Sequence, residues 1–203
     1  MSLDQANGIV LRHRLATAGA TVLAPVPLGV ALLAFIGWRS APHPLAGVGW
    51  GMLAAFFAAG LPFAITHRLR ANRPGGGHAS WRRVAYLAIA LASATAGIAL
   101  LTGLGAPSLV IAATVTMMVG LLSSLVVNAR WAISNHTAAA AGGAVILTVM
   151  LGPIVLVVLG TCDAAVAWAR VTLNLHTPSQ AAAGIALGAA VAAGVFTLLA
   201  TSP

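Results

Sequence analysis

Apolar runs of about twenty residues recur along this chain between short polar or Pro/Gly-containing breaks, a pattern that predicts membrane-spanning helices. The spans fall at 16–37, 47–66, 83–103, 107–128, 137–151, 153–174 and 178–200. Breaks come at Pro42-His43-Pro44, in the stretch from His67 to Trp81 with its Pro74-Gly75-Gly76-Gly77, at Gly105-Ala106-Pro107, and at Gly152-Pro153. The expected fold class is all-α, a polytopic membrane helix bundle with six to seven transmembrane helices in one integral membrane domain over 1–203. The first span is long enough to stay as an anchor, so it is not read as a cleaved signal peptide. Trp38, Trp50, Trp81, Trp131 and Trp168 fall near the predicted helix ends, as interface anchors or as ordinary packing residues do.

The stretch 137–175 decides the topology. As one helix its 39 residues would run nearly 60 Å at about 1.5 Å per residue, about twice a ~30 Å hydrocarbon core. It must therefore fold back, and Gly152-Pro153 is the predicted reversal. That hairpin returns Arg170 and His176 to the face carrying His136.

Composition agrees with the pattern. The hydrophobic fraction is 60%, charged residues are 6% and the mean hydropathy is +1.00, against about 25% charged in a soluble domain. A basic nucleic-acid binder and a disordered basic tail are excluded because the arginines separate hydrophobic spans. The lone Cys162 cannot form an internal disulfide or build a zinc site.

Charge narrows the chemistry. All ten basic residues are arginine, and the only carboxylates are Asp4 and Asp163. A phosphate-handling enzyme that uses magnesium needs clustered Asp or Glu, which this chain lacks. Arg and His remain, suited to gripping phosphate and moving protons without a metal or other cofactor. Helix parity puts Arg12, Arg14, Arg68, Arg70, Arg73, Arg82, Arg83, Arg130 and Arg170 on one side, with Arg39 opposite. The positive-inside rule makes that side cytoplasmic, and accounts better for Arg12, Arg14, Arg82 and Arg83 than for Arg130 and Arg170, which sit beside histidines. The loop carrying Arg68, Arg70 and Arg73 is either a lid over phosphate or a solvated loop near anionic headgroups.

Two helix starts lie on the same side. Ser134-Asn135-His136-Thr137 opens one helix with Ser or Asn as N-cap, and Thr177-Pro178-Ser179-Gln180 opens the last with Thr177 as cap and Pro178 at the first helical position. Both direct free N–H groups and a positive dipole end toward that face. With Arg130 and Arg170 they make an oxyanion cradle, flanked by two histidines fit for nucleophilic and general-acid roles.

These elements resemble the type 2 phosphatidic acid phosphatase superfamily over about residues 121–200. Ser134-Asn135-His136 is similar to that family's Ser-Gly-His element. Ala169-Arg170, five residues, then His176-Thr177-Pro178-Ser179-Gln180 is similar to its Ser-Arg, five residues, His element, and a hairpin separates the two. The resemblance implies His176 as the nucleophile, forming a phosphohistidine, and His136 as the acid that protonates the leaving lipid alcohol. It implies Arg170 as a phosphate ligand, with Ser134 and Asn135 helping to stabilise developing charge. The family's Lys-x6-Arg-Pro element is incomplete here. Arg73-Pro74 has Thr66 at the lysine position, and Arg130-Trp131 has Ser123 there. Arg130 is the favoured phosphate ligand, with Arg68, Arg70 and Arg73 as further candidates. Gln180 stands where the family has an Asp; its amide oxygen is able to hold the His176 Nδ1–H but not to supply a full charge. Asp163, two helical turns from Arg170, is expected to pair structurally with another polar group.

Three function classes follow. The first is a metal-independent phosphatase of the inner membrane, acting on a phosphatidate-like or polyprenyl (di)phosphate, with membrane lipids and no nucleic acid as partners. The second is an altered family member that binds lipid phosphate without hydrolysing it. The third is a small transporter or structural membrane protein whose arginines set topology. Gly184-x-x-x-Gly188 serves helix packing, more ordinarily within one chain than between chains.

Overall fold

The computed structural model describes residues 14, 16, 17, 24–71 and 79–201, with their side chains except at 69–71 and 79–87. No strand occurs among the described residues. The helices are α1 (Pro25–Ser40), α2 (Pro44–Ala55) continuing through a π turn (Phe56–Gly60) into α3 (Leu61–Ala71), α4 (Ala79–Gly103) and α5 (Ser108–Asn128). They are followed by α6 (Asn135–Leu151), α7 (Ile154–Thr172), and α8 (Pro178–Val191), which continues through a second π turn (Ala192–Phe196) into α9 (Thr197–Thr201). Four stretches are long and apolar enough to cross a membrane: Pro44–Arg68, Ser108–Asn128, Ile154–Thr172 and Pro178–Thr201. Pro25–Ser40, Ala88–Gly103 and Asn135–Leu151 are apolar but shorter. The chain is a membrane protein built as a helical bundle.

Two boundaries differ from the sequence expectation. The helix predicted over 16–37 is described from Pro25, a residue whose fixed φ suits a first helical position; Arg12 and most of 15–23 lie outside the described residues. The span predicted to stop at 66 runs on to Ala71, so Arg68 and Arg70 are helical rather than in a loop. Leu and Arg are good helix formers, and the first breaker after them is Pro74.

The chain forms two compact units, one of 1–28 and 119–198, the other of 29–118 and 199–203. In the second unit α1 and α2 cross closely at Gly37, Gly47 and Gly51. Its π turn has a local cause. Leu61 N–H bonds five residues back to the Phe56 carbonyl, but Pro62, next in that register, has no N–H to give Phe57. The buried Ser93 hydroxyl donates to the Phe57 carbonyl instead, at 2.6 Å.

The first unit holds the end of α5, then α6, α7 and α8. Gly152, at φ 99° and ψ 166°, ends α6, and Pro153 precedes α7, so the predicted fold-back occurs there. Helix α6 packs against α8 more extensively than any other pair of elements. Gly184 and Gly188 form that contact, because a side chain there would run into Thr137, the Ser134 carbonyl and the Ala138 carbonyl. The Gly-x-x-x-Gly repeat therefore packs within the chain, letting backbones approach as small residues do in membranes. Ile154, Val157 and Val158 of α7 are 77%, 67% and 63% exposed, a surface suited to hydrocarbon rather than water.

Candidate functional site

Two turns of the first unit meet at one end of its helices. The turn 129–134 joins α5 to α6, and 173–177 joins α7 to α8. Helices α6 and α8 start side by side: Ser134 N–H donates to the Gln180 carbonyl at 3.2 Å and the Thr137 hydroxyl to the Ala181 carbonyl at 2.9 Å. Both N-termini thus open toward the same end, as the sequence predicts.

The two starts are capped differently. Ser134 is the N-cap of α6, its hydroxyl accepting from Thr137 N–H at 3.4 Å, and both side chains are fully buried. The Ser134 hydroxyl is thus engaged in the cap, beneath the turn. Thr177 and Gln180 form a capping box on α8. Gln180 N–H donates to Thr177 Oγ1 at 3.3 Å, and Thr177 N–H donates to Gln180 Oε1 at 2.9 Å. This corrects a sequence expectation: the Gln180 amide oxygen serves the helix cap, and His176 Nδ1 is buried with no hydrogen-bond partner.

Helix α7 ends so as to swing His176 back toward Arg170. Asn174 adopts φ 53°, in the left-handed region that Asn tolerates at a helix end, and the Arg170 carbonyl accepts from Leu175 N–H at 3.0 Å and His176 N–H at 3.4 Å. Arg170 and His176 are thus held within one turn of backbone. His136, at the start of α6, interacts electrostatically with both of them. All three belong to the first unit.

Burial, then the Arg170 guanidinium, push the His176 imidazole below the ordinary histidine value, and the backbone at Ile133 pulls the other way. The neutral ring is therefore favoured at neutral pH. Arg170 Nε is buried and, like His176 Nδ1, has no partner. Guanidinium N–H is always a donor, so this atom calls for an acceptor that the described residues do not provide. Beside His176 lies an open cleft of about 330 Å³ lined by Val171, Asn174, Leu175, His176, Thr177, Pro178 and Gln180.

The chain matches no family model, no curated protein and no solved structure. Function is therefore argued from the site alone.

The remaining candidates fall elsewhere. Arg130 and Trp131 are exposed in the 129–134 turn. Asn135 is exposed, and its Oδ1 accepts from Asn128 Nδ2 at 3.0 Å. Arg68 and Arg70 belong to the second unit, with Arg68 exposed and the Arg70 side chain outside the described residues, as are the side chains of Arg82 and Arg83 and the whole of Arg73. Asp163 is half-buried in α7. Sequence reasoning missed Asn128. Besides Asn135 it donates to the Ser124 carbonyl at 2.8 Å, and it accepts from Ile133 N–H at 2.8 Å. Its only visible mark was an amide at the end of an apolar helix.

Proposed function

We propose that this protein is a metal-independent lipid phosphatase, acting on a phosphatidate-like or polyprenyl phosphate and resembling the type 2 phosphatidic acid phosphatases in its chemistry. The observation that carries the reading is the grouping of His136, Arg170 and His176, with Arg170 Nε buried and unpartnered among them. A phosphate oxygen is the acceptor that guanidinium recognises best. Exposed Trp131 and Trp168 lie in the 129–134 turn and the last stretch of α7, which favours a site at the level of lipid headgroups.

In the proposed reaction Arg170 holds the phosphoryl oxygens, with Arg130 as a further ligand from the neighbouring turn. The unprotonated nitrogen of His176 attacks phosphorus. The P–N bond forms as the P–O bond to the lipid breaks, and His136 gives its proton to the departing alkoxide. Water then attacks the phosphohistidine while His136 takes the water's proton. The P–N bond breaks, inorganic phosphate leaves, and both histidines return to their starting states. The neutral His176 ring is the form such an attack requires.

One observation favours a second reading, lipid-phosphate binding without turnover. No carboxylate accompanies His176 among the described residues, and Gln180 is committed to the cap. A cationic imidazole formed during attack would then lack a full countercharge. Phosphate release from phosphatidate in detergent micelles separates the two readings. Turnover lost in His176→Ala supports the phosphatase, and tight binding of phosphatidate with no release in the wild type supports the second.

A further inference from the structure

We propose that Asn128 is a positioning residue for Arg130, fixing the turn that presents the Arg130 guanidinium to a lipid phosphate. This deepens the lipid-phosphate reading and rests on it through Arg130. Asn128, the last residue of α5, is half-buried and uses its whole amide. Both hydrogens are donated, to the Ser124 carbonyl at 2.8 Å and to Asn135 Oδ1 at 3.0 Å, and its oxygen accepts from Ile133 N–H at 2.8 Å. The first bond reaches back one turn along α5, and the second reaches the first residue of α6. The third closes a loop over residues 129–132.

The tip of that loop is exposed and its base is buried. Ala129, Arg130, Trp131 and Ala132 are exposed, with Arg130 the one charge among them. The Arg130 and Trp131 N–H groups both donate to the Val127 carbonyl, at 3.0 and 2.9 Å. At the base Ile133 is only 3% exposed, so its N–H takes the Asn128 oxygen in place of water. Without that oxygen the turn must shift until the N–H finds another acceptor. The next residue ties the turn to the site, because Ser134 N–H donates to the Gln180 carbonyl at 3.2 Å and Gln180 lines the cleft beside His176. Arg130 therefore stands on a fixed backbone that is hydrogen-bonded to the cleft wall. An arginine side chain loses rotamer freedom when it grips phosphate, and a fixed root lowers that cost. Trp131, 47% exposed next to it, suits the same turn to the depth of lipid headgroups.

The test is a double-mutant cycle on the binding of phosphatidate in mixed micelles, with the full chain carrying His176→Ala so that the lipid is not consumed. Arg130→Ala and Asn128→Ala should each raise the dissociation constant about 10-fold, the worth of one hydrogen bond to a charged group. The double variant should bind no more than about twofold weaker than Arg130→Ala alone, because a residue that acts through the guanidinium has nothing left to act on. Losses that multiply to about 100-fold overturn the proposal, as does unchanged affinity in either single variant. Phosphatidylglycerol, an anionic phosphodiester, should respond less than about twofold to either change, since it offers no terminal phosphate for a bidentate grip. An equal loss there reduces the turn to contact with surface charge and overturns the proposal as well. Should Asn128→Ala not fold, Asn128→Ser takes its place in the cycle. Phosphate release by the wild type is followed in parallel: none defeats the phosphatase reading, while the binding cycle still decides whether Asn128 acts through Arg130.

Discussion

His136, Arg170 and His176 come from three different elements, and what joins them is a helix end that folds back on itself. The left-handed Asn174 and the doubly bonded Arg170 carbonyl turn His176, six residues on, back toward Arg170. If these residues perform the proposed chemistry, His176→Ala abolishes phosphate release, and His136→Ala lowers the turnover number about 10²- to 10⁴-fold, the usual worth of a general acid. The pH profile supplies an independent check. The proposed nucleophile must be unprotonated, and burial with Arg170 holds its proton affinity below the ordinary histidine value of 6.5. Activity should therefore persist as pH falls through 6.5, and the acid limb of kcat/KM should lie below that point. An acid limb above it contradicts the account. The histidines and Arg170 were legible in the sequence because motif spacing survives without coordinates. The commitments of Ser134 and Gln180 to caps were half legible, since the same residues suit a cap and a ligand, and only the hydrogen-bond geometry separates those uses. Asn128 was not legible, because its importance lies in three bonds that the sequence does not display.

At the scale of elements, chain length against membrane thickness was enough to require a reversal within 137–175, and Gly152-Pro153 provides it. Gly152 sits in backbone space that only glycine occupies comfortably, so Gly152→Ala should destabilise the protein by about 1–3 kcal/mol. Gly188 fails for a different reason: a Cβ there meets the Ala138 carbonyl of α6. Gly188→Val should cost about 1–3 kcal/mol through overpacking, whereas Gly160→Ala, with open space around it, should be tolerated. Thermal denaturation in detergent measures all three, and equal melting temperatures for Gly188→Val and Gly160→Ala contradict the packing described. The π turn at Phe56–Gly60 was beyond sequence reading. Pro62 within an apolar run signals a disturbed helix, but the rescue of the Phe57 carbonyl by Ser93 depends on tertiary contact.

For the whole molecule, hydrophobic patterning recovered the all-helical membrane architecture, because periodicity and span length are set by the bilayer. Sidedness is a separate matter, which the arginine bias addresses by predicting a cytoplasmic active face. A Gly76→Cys variant in a Cys162→Ala background should therefore resist an impermeant thiol reagent in intact cells and react once they are permeabilised. Labelling in intact cells would place that segment outside. The absence of clustered carboxylates from the sequence makes a stronger demand on the chemistry, since the proposed catalysis runs on arginine and histidine alone. The most direct measurement is phosphate release from phosphatidate by the purified protein in detergent with excess EDTA. The account predicts turnover that survives chelation and vanishes in His176→Ala. Turnover that EDTA abolishes and added magnesium restores, or that His176→Ala leaves intact, contradicts it.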